Sequence, residues 1–153
     1  MKNIISILIF SALLLTACAP KDFEAKVLNS ERDVCPICNM SIEHYQHATQ
    51  IIYSNGDYEI FDDIGCMIDY YHQKDSEQFE IMYVNDFETH SWIDAEEAYY
   101  LYSAEIWTPM NYGIVGFQNK NDREHFSREY PTSEMMTFED VLEFDFGGHH
   151  ASH

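Results

Sequence analysis

Positive charge is scarce in this sequence. Eight lysines and arginines stand against 27 aspartates and glutamates in 153 residues, a net charge of −19. So acidic a chain repels phosphate backbones and anionic headgroups, which excludes nucleic acid as a partner. It could concentrate metal cations, although a charged surface that keeps a protein soluble accounts for the same composition. Glycine and proline are also scarce, at 6 and 4 residues, and no glycine-rich loop is available to cradle phosphate. No Ser/His/Asp arrangement stands out, and the many carboxylates show no spacing that marks a catalytic pair. Nothing therefore points to an enzyme, and none is expected. Cysteine is limited to 4 positions, too few for a disulfide framework in a chain of this length.

The first residues, MKNIISILIFSALLLTACAP, place one lysine before an apolar run that ends in small residues. This is the layout of a secretory signal peptide, and the run is shorter than the roughly 20 apolar residues a membrane span needs. Leu15-Thr16-Ala17-Cys18 resembles a bacterial lipobox, in which the cysteine is lipidated and becomes the mature N-terminus. The expectation is a signal peptide over 1–17 and a lipid anchor at Cys18. The protein would then be tethered to a bacterial membrane and face its extracytoplasmic side. Residues 18–33 are polar, show no period and read as a tether.

With Cys18 committed to lipid, Cys35, Cys38 and Cys66 remain. Three thiols cannot pair completely within one chain, so a metal site or a reactive thiol is expected. Cys35-Pro-Ile-Cys38-Asn-Met40 gathers two thiols and a thioether in six positions. Soft sulfur ligands favour Cu(I) over hard cations. Met40 could instead fill the core, as methionine often does. Met110 follows a proline in a polar break, where ligand and packing readings stay open. Cys66 could be a third thiol near the site, but free cysteine is commonly buried and inert. His44 and His47 could offer imidazole, and the tail over 147–153 is histidine-rich, a composition that binds metals weakly.

Ala48 to Ser54 is rich in β-formers, Asn55-Gly56 signals a hairpin turn, and Asp57 to Phe61 returns as a second strand. Asp62 or Asp63 can cap a helix whose residues Ile64, Met67, Ile68 and Tyr71 form one buried stripe. Phe79 to Val84 reads as a third strand. In the second half, Asp94 with Glu97 suggests a capped helix over 95–104. Gly113 to Gln118 reads as a strand, and Asn121 with Glu124 opens a helix. Met135 to Phe138 reads as a strand unless Thr137 caps a short turn holding Val141 and Leu142. The expected class is α+β, with two related units over 34–88 and 89–146 and mixed sheets.

Four blocks then carry a family resemblance: Cys35-x-x-Cys38-x-Met40, Phe61-Asp-Asp-x-Gly-Cys66-Met67, Trp92-Ile-Asp-Ala95 and Thr108-Pro-Met110. Their order and approximate spacing resemble the NosL family over nearly all of the mature chain. The resemblance implies two ββαβ units and an exported lipoprotein that binds Cu(I). It also implies copper delivery for assembly of nitrous oxide reductase, alongside an ABC-type transporter and its exported partner protein. The implied metal residues are Cys38 and Met40, with Cys35 as an extra thiol and Met110 from the second unit. Asn39 departs from the glycine of many members, and some members lack Cys35 and Cys66.

The rival is an exported thiol–disulfide oxidoreductase using Cys35 and Cys38. Such sites place the first cysteine at a helix N-terminus, where the dipole lowers its pKa, and Asn39-Met40-Ser41 opens no convincing amphipathic helix. A structural zinc module would need four ligands, and no second Cys-x-x-Cys is present.

Overall fold

The computed structural model describes residues 23–145. The expected signal peptide, Cys18 and the histidine-rich tail lie outside them. Two sheets are present among the described residues, one of four strands and one of three.

The first unit is built as the pattern suggests. Strand β1 (Thr49–Tyr53) and strand β2 (Tyr58–Phe61) form an antiparallel hairpin. Its turn closes with Tyr53 N–H donating to the Asp57 carbonyl at 2.8 Å. Gly56 takes φ +95°, a conformation that glycine adopts without steric cost. Helix α1 (Ile64–Gln73) follows, capped by Asp63 rather than Asp62. Ile64, Met67 and Ile68 are buried as expected, but Tyr70 is the more buried of the two tyrosines that follow. Its hydroxyl meets that of Tyr53 at 2.6 Å. Strand β3 (Phe79–Asn85) returns beside β1, and β4 (Trp92–Asp94) adds to its far edge, giving the order β2-β1-β3-β4.

The second unit repeats the plan. Strands β5 (Tyr99–Tyr102) and β6 (Ile114–Phe117) pair, helix α2 (Lys120–Phe126) crosses, and β7 (Glu134–Met136) returns beside β5. Helix α3 (Phe138–Glu143) ends the described chain. The order β6-β5-β7 matches β2-β1-β3, so the two-unit α+β reading holds.

Three details depart from the expectations. The named ladders are all antiparallel rather than mixed. A parallel pairing occurs only as the isolated bridge between Asp86 and Gly116, among the described residues. Because each unit returns its last strand beside its first, the crossover never brings parallel strands together. The helix expected over 95–104 is absent: β4 ends at Asp94, and β5 begins at Tyr99. Asp94 does accept a nearby amide, Glu96 N–H at 3.0 Å, but this closes a turn. Tyr99-Tyr-Leu-Tyr102 is an aromatic run that suits a pleated surface better than a helix. Finally, β4 belongs to the first sheet, so that sheet extends beyond residue 88.

The described part of the expected tether is docked. The buried Gln50 side chain accepts Lys26 N–H at 2.7 Å and donates to the Lys26 carbonyl at 2.6 Å, imitating a strand partner. One apolar cluster runs through both units, including Ile51, Phe61, Met67, Val84, Tyr100 and Val141. Each large side chain buried there contributes roughly 1.5–3 kcal/mol. Gly65, in the first turn of α1, lies against the Tyr112 ring, and a methyl group there would collide with it. This contact seats the second unit on the start of the first helix.

Candidate metal centre

The loop carrying Cys35, Cys38 and Met40 is a closed knuckle. Cys35 N–H donates to the Met40 carbonyl, and Asn39 N–H donates to the Cys35 carbonyl, both at 2.9 Å. Val34 and Ser41 bridge just outside it. The turn requires left-handed backbone at residue 39, and Asn39 supplies it with φ +60°. Asparagine visits that region more readily than most residues, so the departure from glycine leaves the loop shape intact.

The third thiol comes from the helix. Asp63 Oδ1 accepts Cys66 N–H at 3.0 Å, fixing the first turn of α1. The sulfurs of Cys35, Cys38 and Cys66 lie within 4.8 Å of one another. Cys35 and Cys66 are buried, Cys38 is half-buried, and none is in a disulfide. Cys66 is buried, as a free cysteine commonly is, and its sulfur also joins the cluster, in keeping with the third-thiol alternative. Cys66 sits off the apolar stripe because the first helical turn faces back toward the loop rather than along the core.

The three thiols alter one another's acidity. Hydrogen bonds from Cys38 and Cys66 hold the Cys35 thiol well below its ordinary value. The same bonding to Cys35 pushes Cys38 and Cys66 up. Of the three, Cys35 is therefore the thiol whose ionised form the cluster favours most. Beside it stands Asp62, whose Oδ2 is 4.0 Å from Cys38 Sγ and whose Oδ1 is buried without a partner. Burial first, then the charges of Asp63 and Cys35, push this carboxyl up to about 7.

The two methionines are placed differently. Met40 is 42% exposed and lines a groove of about 360 Å³ with Glu43, His44, Asp62, Trp107 and Pro109. Met110 is half-buried against the core, and its amide donates to Asp63 Oδ2 at 3.0 Å. Asp63 Oδ2 also accepts the Thr108 hydroxyl at 3.1 Å. One carboxylate therefore caps the helix that bears Cys66 and holds the loop that bears Met110. His44 lies at the groove, its ring edge-on to Trp107 at 4.9 Å. His47 is buried behind it, and burial, then the neighbouring His44 and His90, lower its pKa to about 4.

Three clustered sulfurs form a soft donor set of low coordination number, which suits Cu(I). Asp62 and Cys66 are the residues that sequence reasoning undervalued. Both sit in the Phe61-Asp-Asp-x-Gly-Cys66 block, and the capping aspartate three residues before a cysteine was the available signal.

The sequence model of the NosL family matches residues 26–144. The fold is similar to the crystal structure of the copper chaperone NosL from Shewanella denitrificans. The two share 20% identity and a TM-score of 0.68, over 80% of this chain and 96% of that one. At that identity the likeness speaks for the fold alone. No curated protein matches the chain. The family match spans both ββαβ units and all three clustered thiols, and the chain belongs to the NosL family.

Proposed function

We propose that this protein is a Cu(I) chaperone, anchored through Cys18 outside a bacterial cytoplasmic compartment. It delivers copper for maturation of nitrous oxide reductase or a similar copper enzyme. An ABC-type transporter and its exported partner protein act with it. The observation that carries this reading is the cluster of Cys35, Cys38 and Cys66, buried on two members and half-buried on the third. Family membership and the copper chaperone of the same fold support it.

In this reading Cu(I) is cargo. Thiols must lose their protons to ligate the metal, so loading releases protons, with Cys35 the thiol held furthest below its ordinary value. The half-buried Cys38 is the ligand an acceptor meets first. Met40, two residues on and exposed, can hold the metal as Cys38 is exchanged, and Met110 stands by from the second unit. Exchange through a shared intermediate keeps Cu(I) from passing through water. The chain is a carrier rather than an enzyme.

The oxidoreductase alternative lacks its helix dipole, because Cys35 and Cys38 sit in a knuckle and not at a helix start, and Cys35 is lowered instead by its two neighbouring thiols. Anaerobic titration of the reduced protein with Cu(I) against a chelator, with X-ray absorption for ligand type, tests the proposal. Tight 1:1 binding by sulfur is expected, and Cys38→Ser should abolish it while the fold persists. Unchanged affinity in that variant would remove Cys38 from the site.

A further inference from the structure

Next to the thiol cluster, joined to it by Asp62, which lines the Met40 groove and lies 4.0 Å from Cys38 Sγ, is an unusual surface for so acidic a chain. Trp107 is 55% exposed, Val34 51%, Met40 42% and Tyr45 40%. These four are half of the eight large apolar side chains exposed among the described residues. Met40 and Trp107 both line the groove, Val34 pairs with the lining residue Ser41, and Tyr45 adjoins the His44 that meets Trp107 edge-on. Exposed tryptophan, tyrosine and methionine are enriched where proteins bind one another.

Trp107 is held, not loose. His44 and His47 both meet its ring edge-on, at 4.9 and 5.5 Å, so residues of the first unit fix a side chain of the second. A rigid aromatic held partly in water loses little entropy on binding, which is the property of an interface anchor.

The charge around the groove selects the occupant. Glu43 and Asp62 line it, and no lysine or arginine does. A second copy of this chain, itself of net charge −19, would set Glu43 and Asp62 against like charge, which opposes association. A partner bearing lysine or arginine beside a soft ligand complements both features.

We infer that the Trp107–Met40 groove is the docking surface for a copper acceptor, whose contact face presents a thioether flanked by lysine or arginine. This rests on the copper-chaperone reading and adds who is admitted to the site. Trp107 anchors the partner's apolar side chain, Glu43 steers its basic residue, and the incoming thioether reaches the metal past Cys38. Trp107 and Glu43 are recognition residues and bind no metal.

The test uses the full chain, reduced and loaded with Cu(I), and two synthetic peptides. Both peptides carry the same pair of methionines, flanked by lysines in one and by glutamates in the other. The lysine peptide should shift tryptophan fluorescence and accelerate Cu(I) release at least tenfold over the glutamate peptide, with the difference shrinking as salt is raised. Trp107→Ala and Glu43→Gln should each remove most of that acceleration while Cu(I) affinity in chelator competition stays unchanged. Equal release by the two peptides, or no effect of either variant, would overturn the inference. So would Trp107-dependent self-association in sedimentation, or Trp107-dependent binding to zwitterionic vesicles. Loss of Cu(I) affinity in the unaltered chain would instead overturn the chaperone reading itself, so the two failures are distinguishable.

Discussion

The Oδ2 atom of Asp63 accepts the amide hydrogen of Met110 at 3.0 Å, across 47 positions of sequence. Its other oxygen caps Cys66. The start of α1 and the Thr108–Met110 loop are therefore one rigid piece. Asp63→Ala removes the N-cap and the Thr108 and Met110 partners together. Loss of a cap costs about 0.5–2 kcal/mol, and each hydrogen bond to a charged group about 1.5–3. Urea denaturation should show at least about 2 kcal/mol of destabilisation on those grounds, with Asp63→Asn intermediate. Wild-type stability in the alanine variant would show that the carboxylate is not the tie.

Cys66→Ser should weaken Cu(I) binding as much as Cys35→Ser does, by at least tenfold, or about 1.4 kcal/mol. Both buried sulfurs lie within 4.8 Å of each other and of Cys38, so either loss takes a donor from the same set. Competition with a chromophoric chelator measures it. A Cys66→Ser protein with full affinity would return that thiol to a packing role.

A mild disulfide oxidant should consume two of the three clustered thiols and leave one. The sulfurs are near enough to pair after a small movement, and bond formation passes two electrons to the oxidant, which is reduced to thiols. Thiol counting before and after treatment should give a drop of two per chain within the cluster, with Cu(I) capacity lost and then restored by a phosphine reductant. Prior loading with Cu(I) should protect all three. Oxidation that leaves copper capacity intact would argue against thiolate ligation.

Asp62→Asn should separate metals by hardness. A carboxylate oxygen beside Cys38 could complete a four-ligand set for Zn(II), whereas Cu(I) has little use for it. Zn(II) affinity should fall by at least tenfold and Cu(I) affinity should change by less, read in parallel titrations. Equal losses for both metals would mean that Asp62 acts on the thiols themselves.

His47 makes stability depend on pH. Its folded pKa of about 4 lies below the ordinary 6.5, because burial disfavours the charged ring. The unfolded chain binds more protons between those values, so stability is complete above pH 6.5 and declines as pH falls toward 4. His47→Phe should flatten that part of the urea-midpoint profile relative to the unaltered protein. An unchanged slope would assign the acid sensitivity to other groups.

The legible parts of the fold are those in which one local signal dominates. Asn55-Gly56 fixes a hairpin, and Asp63 followed by the Ile64–Met67–Ile68 stripe fixes a helix, because neither needs help from distant sequence. Residues 95–104 misled because Asp94 and the glutamates after it satisfy a helix-start pattern, and the tyrosines of β5 decide otherwise only when α2 and β6 cover them. Thr137 was ambiguous for a local reason, and the cap reading holds: β7 stops at Met136, and the Thr137–Asp140 capping box starts α3. At the site, the knuckle was readable from Cys-x-x-Cys alone. Cys66 was not, because its closeness to Cys35 and Cys38 arises where a loop meets a helix start. The Trp107 groove was invisible for the same reason, since its two walls come from different units.

The knuckle closes on its own two hydrogen bonds, whereas Cys66 arrives only when α1 has docked. An unfolded chain can offer a metal at most the close pair Cys35 and Cys38, and the native chain offers three sulfurs. Cargo and fold are then thermodynamically linked: every tenfold preference of Cu(I) for the native trio over the unfolded pair adds about 1.4 kcal/mol to stability at saturation. The reciprocal follows. Anything that pries the start of α1 away from the knuckle lowers the protein's hold on its metal without competing for a single ligand.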